Sequence, residues 1–287
     1  MLLSRCSTIF VTASRRYTES ISRMGVPLKR VVEAMNNFAD TSLAASWDNV
    51  GLLVEPTVPK NIQHVLLTND LTENVMQEAI DLRADLIVSY HPPIFAPLKR
   101  LTNLNWKERI IAKCLEKQIA VYSPHTSFDS IKGGVNDWLA NSFDIESSKP
   151  IEIGGNPENG MGRICQLRGK SITTSEAVNL VKRRTDLPHV RIARAIETDK
   201  PIKTVAVCAG SGSTVLKNVA ADLYVTGEMP HHDVLDAVHN NIHVILTDHS
   251  NSERGFLKVF AGILAASLED SVKVSTSKRD ADPLTIV

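Results

Sequence analysis

Histidines and carboxylates recur at one kind of place in this 287-residue sequence, the residues just after short apolar runs. His91 closes LIVSYH, His125 and Asp129 follow AVYSP, Glu228 follows LYVTG, and Asp248, His249 and Glu253 follow VILT. Two of these sites pair a histidine with an acid four residues on, His125 with Asp129 and His249 with Glu253. Neutral imidazole plus carboxylate suits Zn, Fe or Mn, because borderline divalent ions accept nitrogen and a carboxylate can bridge two of them. Each histidine alone is more often a hydrogen-bonded strand-end residue than a ligand; it is the accumulation that points to a cation. A second cluster, Glu228, His231, His232 and Asp233, lies in TGEMPHHDVLDA, where a strand hands over to a helix. It offers a proton-transfer group beside the ions, while helix capping by Asp233 and an exposed imidazole explain it equally well. The Gly-rich AGSGS (209–213) matches neither the P-loop nor the dinucleotide fingerprint, so it reads as a tight turn rather than an anion cradle.

The elements that must position these residues alternate. Leu28, Val31, Val32, Met35 and Phe38 recur at helical spacing, predicting an amphipathic helix that ends near Asp40. Strand-like runs follow at 64–67, 86–89 and 119–122, with helix-period segments at 75–82 and 106–115 between them. Strand–helix alternation of this kind builds a parallel or mixed sheet. A polar, Gly-rich stretch, SSKPIEIGGNPENGMG (147–162), reads as a linker. Beyond it the pattern returns, with strands at 163–167, 205–208, 223–226 and 243–246 and helices near 177–182 and 232–238. ADLIVSYH (84–91) also matches ADLYVTGE (221–228). The expected fold is therefore α/β, two similar halves with mixed or parallel sheets facing one another, over residues 24–146 and 163–287. In such sheets the ligand crevice lies beyond the carboxyl ends of the strands, where the histidines and acids stand.

Composition limits the function classes. The 43% hydrophobic and 22% charged residues are those of a globular chain with a real core. Lys plus Arg and Asp plus Glu both number 32, leaving no global field to hold nucleic acid or an anionic membrane. No apolar run approaches the roughly 18 residues of a membrane-spanning helix. Four scattered cysteines show neither a disulfide framework nor zinc-finger spacing. Residues 1–23 carry four arginines, many Ser and Thr and one acid, the composition of a transit peptide or of a plain N-terminal tail. The expected location is mitochondrial or cytoplasmic, with the nucleus open to a product that starts at Met24.

The segments SWDNVGLLVE, SYHPPIF, YSPHTSFD, GSGS, TGEMPHHD and DHSNSERGF, with the terminal DADPLTIV, resemble in order the NIF-three-like proteins, some of which are labelled GTP cyclohydrolase I type 2 homologues. The resemblance runs from about Gly25 to the end. It implies two similar α/β domains around a shared dinuclear metal site, assembled into a toroidal homohexamer. It also implies that His91, Asp129 and Glu253 hold one ion and that His249 with Glu253 holds the other, Glu253 bridging. Tyr90 stands where many bacterial members have a second histidine. A phenol, with a reference pKa of about 10, is a weaker ligand at neutral pH, so one ion per chain, or a weakly held second, is expected.

Three functions of different class follow. One is a metal-dependent hydrolase of unknown substrate, with His232, Glu228 or His125 assisting proton transfer; nothing in these residues argues for GTP. Another, suggested by relatives described as partners of transcription coregulators, is an interaction protein with a structural or vestigial ion. Metal storage in a large ring is a third.

Overall fold

The computed structural model describes residues 25–287, so the leader read over 1–23 lies outside the described residues. In chain order the first half carries β1 (Val26–Pro27), α1 (Leu28–Phe38), β2 (Gly51–Val54), β3 (Asn61–Ile62), β4 (His64–Thr68), α2 (Glu73–Asp81) and β5 (Leu86–Ser89). It continues through α3 (Trp106–Glu116), β6 (Ala120–Ser123), α4 (Thr126–Ser130) and α5 (Val135–Ala140). The second half carries β7 (Ile145–Lys149), β8 (Glu152–Ile153), β9 (Gly160–Met161), β10 (Arg163–Leu167), α6 (Thr174–Thr185), β11 (Arg191–Ala193) and β12 (Thr204–Ser211). It ends with α7 (Ser213–Leu216), β13 (Leu223–Glu228), α8 (His231–His239), β14 (His243–Leu246), α9 (Arg254–Ser267) and β15 (Lys273–Thr276).

Local chemistry explains the elements. HVLLT of β4 and LIVS of β5 are buried along their whole length, as parallel strands covered on both faces are. The side chains of Thr72 and Asn105 cap α2 and α3, and Thr173 with Glu176 forms a reciprocal capping box on α6. Among the described residues the strands form two principal sheets, ordered β15-β4-β5-β6-β2 and β11-β14-β13-β12-β10-β7. β4, β5 and β6 run parallel, as do β12, β13 and β14, so the repeated ADL segments run into equivalent strands, β5 and β13.

The halves interlock. β15, from the end of the chain, pairs parallel with β4 in the first sheet, Lys273 opposite His64. Phe38 and Phe128 of the first half pack with Phe256 and Phe260 of α9 in one core, the Phe128 and Phe260 rings 4.6 Å apart. Residues 147–162, polar enough to read as a linker, are ordered. Most of β7 is exposed because it is the edge of the second sheet, antiparallel to β10, and β8 and β9 form a small antiparallel pair. An edge strand facing solvent has a linker's composition. No helix among the described residues is long and apolar enough to cross a membrane.

Candidate metal centre

The strand ends converge as expected. Asn69 and Asp70 follow β4, Tyr90 and His91 follow β5, and His125 and Asp129 follow β6. From the second half, Glu228 ends β13, and β14 leads through His249 and a short 3-10 turn to Glu253, the residue just before α9. Ladder bonds run past the strands, with His91 N–H donating to Asn69 O at 3.0 Å and His125 N–H to Tyr90 O at 3.2 Å.

His91, His249 and Glu253 each offer a ligand atom, all within 4.8 Å of one another. The Glu253 side chain is 4% exposed and lies between the two imidazoles, its Oε2 3.4 Å from His91 Nε2 and its Oε1 3.5 Å from His249 Nε2. Those separations are long for hydrogen bonds. They do match the roughly 3.4 Å between two ligands that each lie about 2.1 Å from a tetrahedral ion. His91 Nε2 and Asn69 Oδ1 are buried without a hydrogen-bond partner, and Asn69 Nδ2 donates to Glu253 Oε2 at 3.1 Å. Both imidazoles are oriented from behind: His91 Nδ1 lies 2.9 Å from Asp70 Oδ1, and His249 Nδ1 lies 2.7 Å from Glu228 Oε1. A carboxylate on Nδ1 fixes the tautomer and leaves Nε2 free to bind a metal.

The buried carboxylates favour positive charge between them. Burial opposes charge on His91, but Glu253 and Asp70 outweigh it and raise its pKa to about 11. Burial also works against the Glu253 carboxylate, yet His91 and His249 hold it below its usual range. Burial, then the charge of Glu253, raises Asp129 to about 6, and the Tyr90 phenol that donates to it opposes the rise. Tyr90 itself, buried beside Asp129 and Glu253, stays a neutral phenol.

Of the residues expected to bind metal, His91, His249 and Glu253 come together, while Asp129 stands beside them and accepts the Tyr90 hydroxyl. Tyr90 is thus a donor to Asp129. His125 packs against His91, ring centroids 5.3 Å apart, with its Nδ1 2.7 Å from Asp48 Oδ1. Glu228 orients His249, and His232, exposed in the first turn of α8, meets His231 edge-on rather than joining the group. Asn69, Asp70 and Asp48 are the residues sequence reasoning missed. Asp70 follows the run HVLLT just as His91 follows LIVSY, so the same strand-end rule identifies it. The AGSGS stretch is not the tight turn expected: residues 209–211 finish β12 and Gly212 joins it directly to α7, with Gly210 N–H donating to Ser252 Oγ at 2.7 Å and Gly212 N–H to Thr226 Oγ1 at 3.0 Å. Trp47 and Phe95, at least half exposed and with rings 6.0 Å apart, both pack on His125 beside the group.

Fold and site together define a class, an α/β protein of two interlocked sheets whose strand ends enclose an imidazole–carboxylate group. The chain belongs to the Duf34/NIF3 (NGG1p interacting factor 3) family, whose profile matches residues 26–283. It is 49% identical to NIF3-like protein 1 of Drosophila melanogaster over 265 residues, 92% of this chain and 90% of that one. It is 39% identical to the NGG1-interacting factor 3 of Saccharomyces cerevisiae over 282 residues, 90% of this chain and 96% of that one. The crystal structure of a Bacillus cereus protein related to NIF3 shares the fold, with a TM-score of 0.80 at 22% identity, covering 91% of this chain and 99% of that one.

Proposed function

We propose that the chain binds a divalent ion, Zn, Fe or Mn, through His91 Nε2, His249 Nε2 and Glu253, and hydrolyses a substrate entering past Trp47 and Phe95. The observation that carries this reading is the pair of carboxylate-oriented imidazoles flanking one buried carboxylate, with His91 Nε2 left unpartnered. Bound there, the ion supplies Lewis acidity. Asp70 and Glu228 hold the two rings with Nε2 inward. Asp129 adds a second buried carboxylate, kept in place by Tyr90. His125 is the proton-transfer group, its Nδ1 secured by Asp48, whose carboxyl, despite burial, is held low by His125 and Thr126. The working form is a homohexamer located in the mitochondrion or cytoplasm, and its native mass checks the assembly.

The test is turnover of p-nitrophenyl phosphate and bis-p-nitrophenyl phosphate by the Mn- or Zn-loaded chain, beside Glu253→Ala and His125→Ala. Hydrolysis that Glu253→Ala abolishes without unfolding supports the reading; no hydrolysis by any loaded form counts against it. A second reading, an interaction protein with a structural ion, is favoured by the name of the yeast relative, NGG1-interacting factor 3. It predicts that partner binding survives Glu253→Ala.

A further inference from the structure

The terminal segment DADPLTIV takes no part in the site as described so far, yet it is tied to it. Past β15, Glu78 on α2 accepts the Ser277 hydroxyl and the backbone N–H groups of Lys278 and Arg279, which pins the segment to the first half. Asp280 comes next, its side chain 4% exposed. Its Oδ2 accepts the Asn69 N–H at 2.7 Å and lies 3.1 Å from Arg254 Nε. Asp282 Oδ2 accepts the Ser250 hydroxyl at 2.6 Å. Arg254 completes the knot, donating to Asn251 Oδ1 and to Ser250 Oγ, each at 2.7 Å.

These contacts fall on the loop that orients His91 and on the loop that carries His249 and Glu253. Asn69 precedes Asp70, which orients His91, and Asn69 Nδ2 donates to Glu253 Oε2 at 3.1 Å. Ser250 follows His249, and Arg254 follows Glu253. The loop after β4 comes from the first half and the loop after β14 from the second. Asp280 accepts from the first and pairs with Arg254, the residue after Glu253, while Asp282 accepts from Ser250 in the second.

We propose that Asp280, with Asp282, is a positioning residue for the metal centre: the C-terminal segment splices the His91-orienting loop to the His249–Glu253 loop and sets the distance between the ligands. The inference rests on the proposed metal site. Neither aspartate need touch the ion. A change of a few tenths of an ångström between the loops is enough to matter, because ligand distances at a bound metal tolerate only about 0.2 Å. Groups that orient metal ligands typically change affinity about 10- to 100-fold when removed.

The experiment is Zn affinity by chelator competition on the full-length chain, as supplied and as Asp280→Asn, Asp280→Ala and Asp282→Ala, with the metal-free melting temperature of each. Asp280→Asn keeps an acceptor for the Asn69 N–H and loses the charge facing Arg254. The expected result is Zn affinity about 10- to 100-fold weaker in Asp280→Ala, weaker by less in Asp280→Asn and Asp282→Ala. The losses should exceed any fall in metal-free melting temperature, and the graded rescue by Asn separates positioning from general packing. If Asp280→Ala fails to fold, Asp282→Ala, on a half-buried residue, decides. Unchanged affinity in the folded variants, with the unaltered chain binding Zn, overturns this inference alone. An unaltered chain that binds no Zn overturns the metal site and the inference together.

Discussion

Gly210 passes so close to the site that its missing side chain is itself a prediction. Its φ is +66°, and a Cβ there would stand 2.6 Å from Glu253 Oε1 and 3.2 Å from His249 Nε2. Ordinary contact begins near 3.4 Å, so Gly210→Ala pushes the carboxylate by about 0.8 Å, some four times the tolerance of a metal–ligand distance. The left-handed backbone adds roughly 1–2 kcal/mol of strain. Gly133→Ala provides the comparison: its φ is +79° and nothing lies within 4 Å of its Cβ, so it carries the strain without the intrusion. Both variants should melt about 2–6 °C lower than the unaltered chain. Only Gly210→Ala should lose metal, measured by chelator competition, with affinity down at least about tenfold. Equal affinity in Gly210→Ala and Gly133→Ala would refute the placement of the ion against Glu253.

Asp70→Asn removes the carboxylate behind His91 and should weaken metal binding about 10- to 100-fold at little cost in stability. Glu228→Gln should do the same for His249 by less, since that carboxylate is half exposed to solvent; equal losses in titration calorimetry would contradict the ranking. Acid should destabilise the fold in two stages. Burial lowers the pKa of His64 below 6.5, so the unfolded chain takes up a proton first and stability declines as pH falls through 6.5. Burial works against the Glu78 carboxylate too, but bonds from Ser277, Lys278 and Arg279 hold it below 4.5, so its contribution, present above 4.5, is lost as pH falls through the lower folded value. A melting temperature flat from about pH 7 to pH 5 would contradict the first assignment, and one flat from about pH 5 to pH 2 would contradict the second.

Much of the site was legible because parallel strands put chemistry at their carboxyl ends. Once LIVS, AVYS and VIL are read as strands, His91, Asp129, His249 and Glu253 fall in one crevice without any distance being known. The same logic reaches Asp70, but an acid after a strand draws less notice than a histidine. Glu228 and Tyr90 look like a proton donor and a poor ligand in sequence. Only the fold shows that one orients His249 and the other holds Asp129, because those partners lie 21 and 39 residues away. The interlocking was hidden for the same reason. KVST is an unremarkable segment, and its pairing with β4 joins residues some 200 positions apart, where local periodicity carries no information. α9 went unread although Phe256, Leu257, Phe260 and Leu264 keep helical spacing along its buried face. Edge strand β7 was unreadable, because solvent exposure gives it a loop's composition.

The most direct test of the central claim is elemental analysis of the chain purified without chelator, as moles of each metal per chain, beside His249→Ala and Glu253→Ala. The site described here predicts near-stoichiometric Zn, Fe or Mn in the unaltered chain and its loss from both folded variants. Metal-free, well-folded protein, or metal retained through both substitutions, would contradict it.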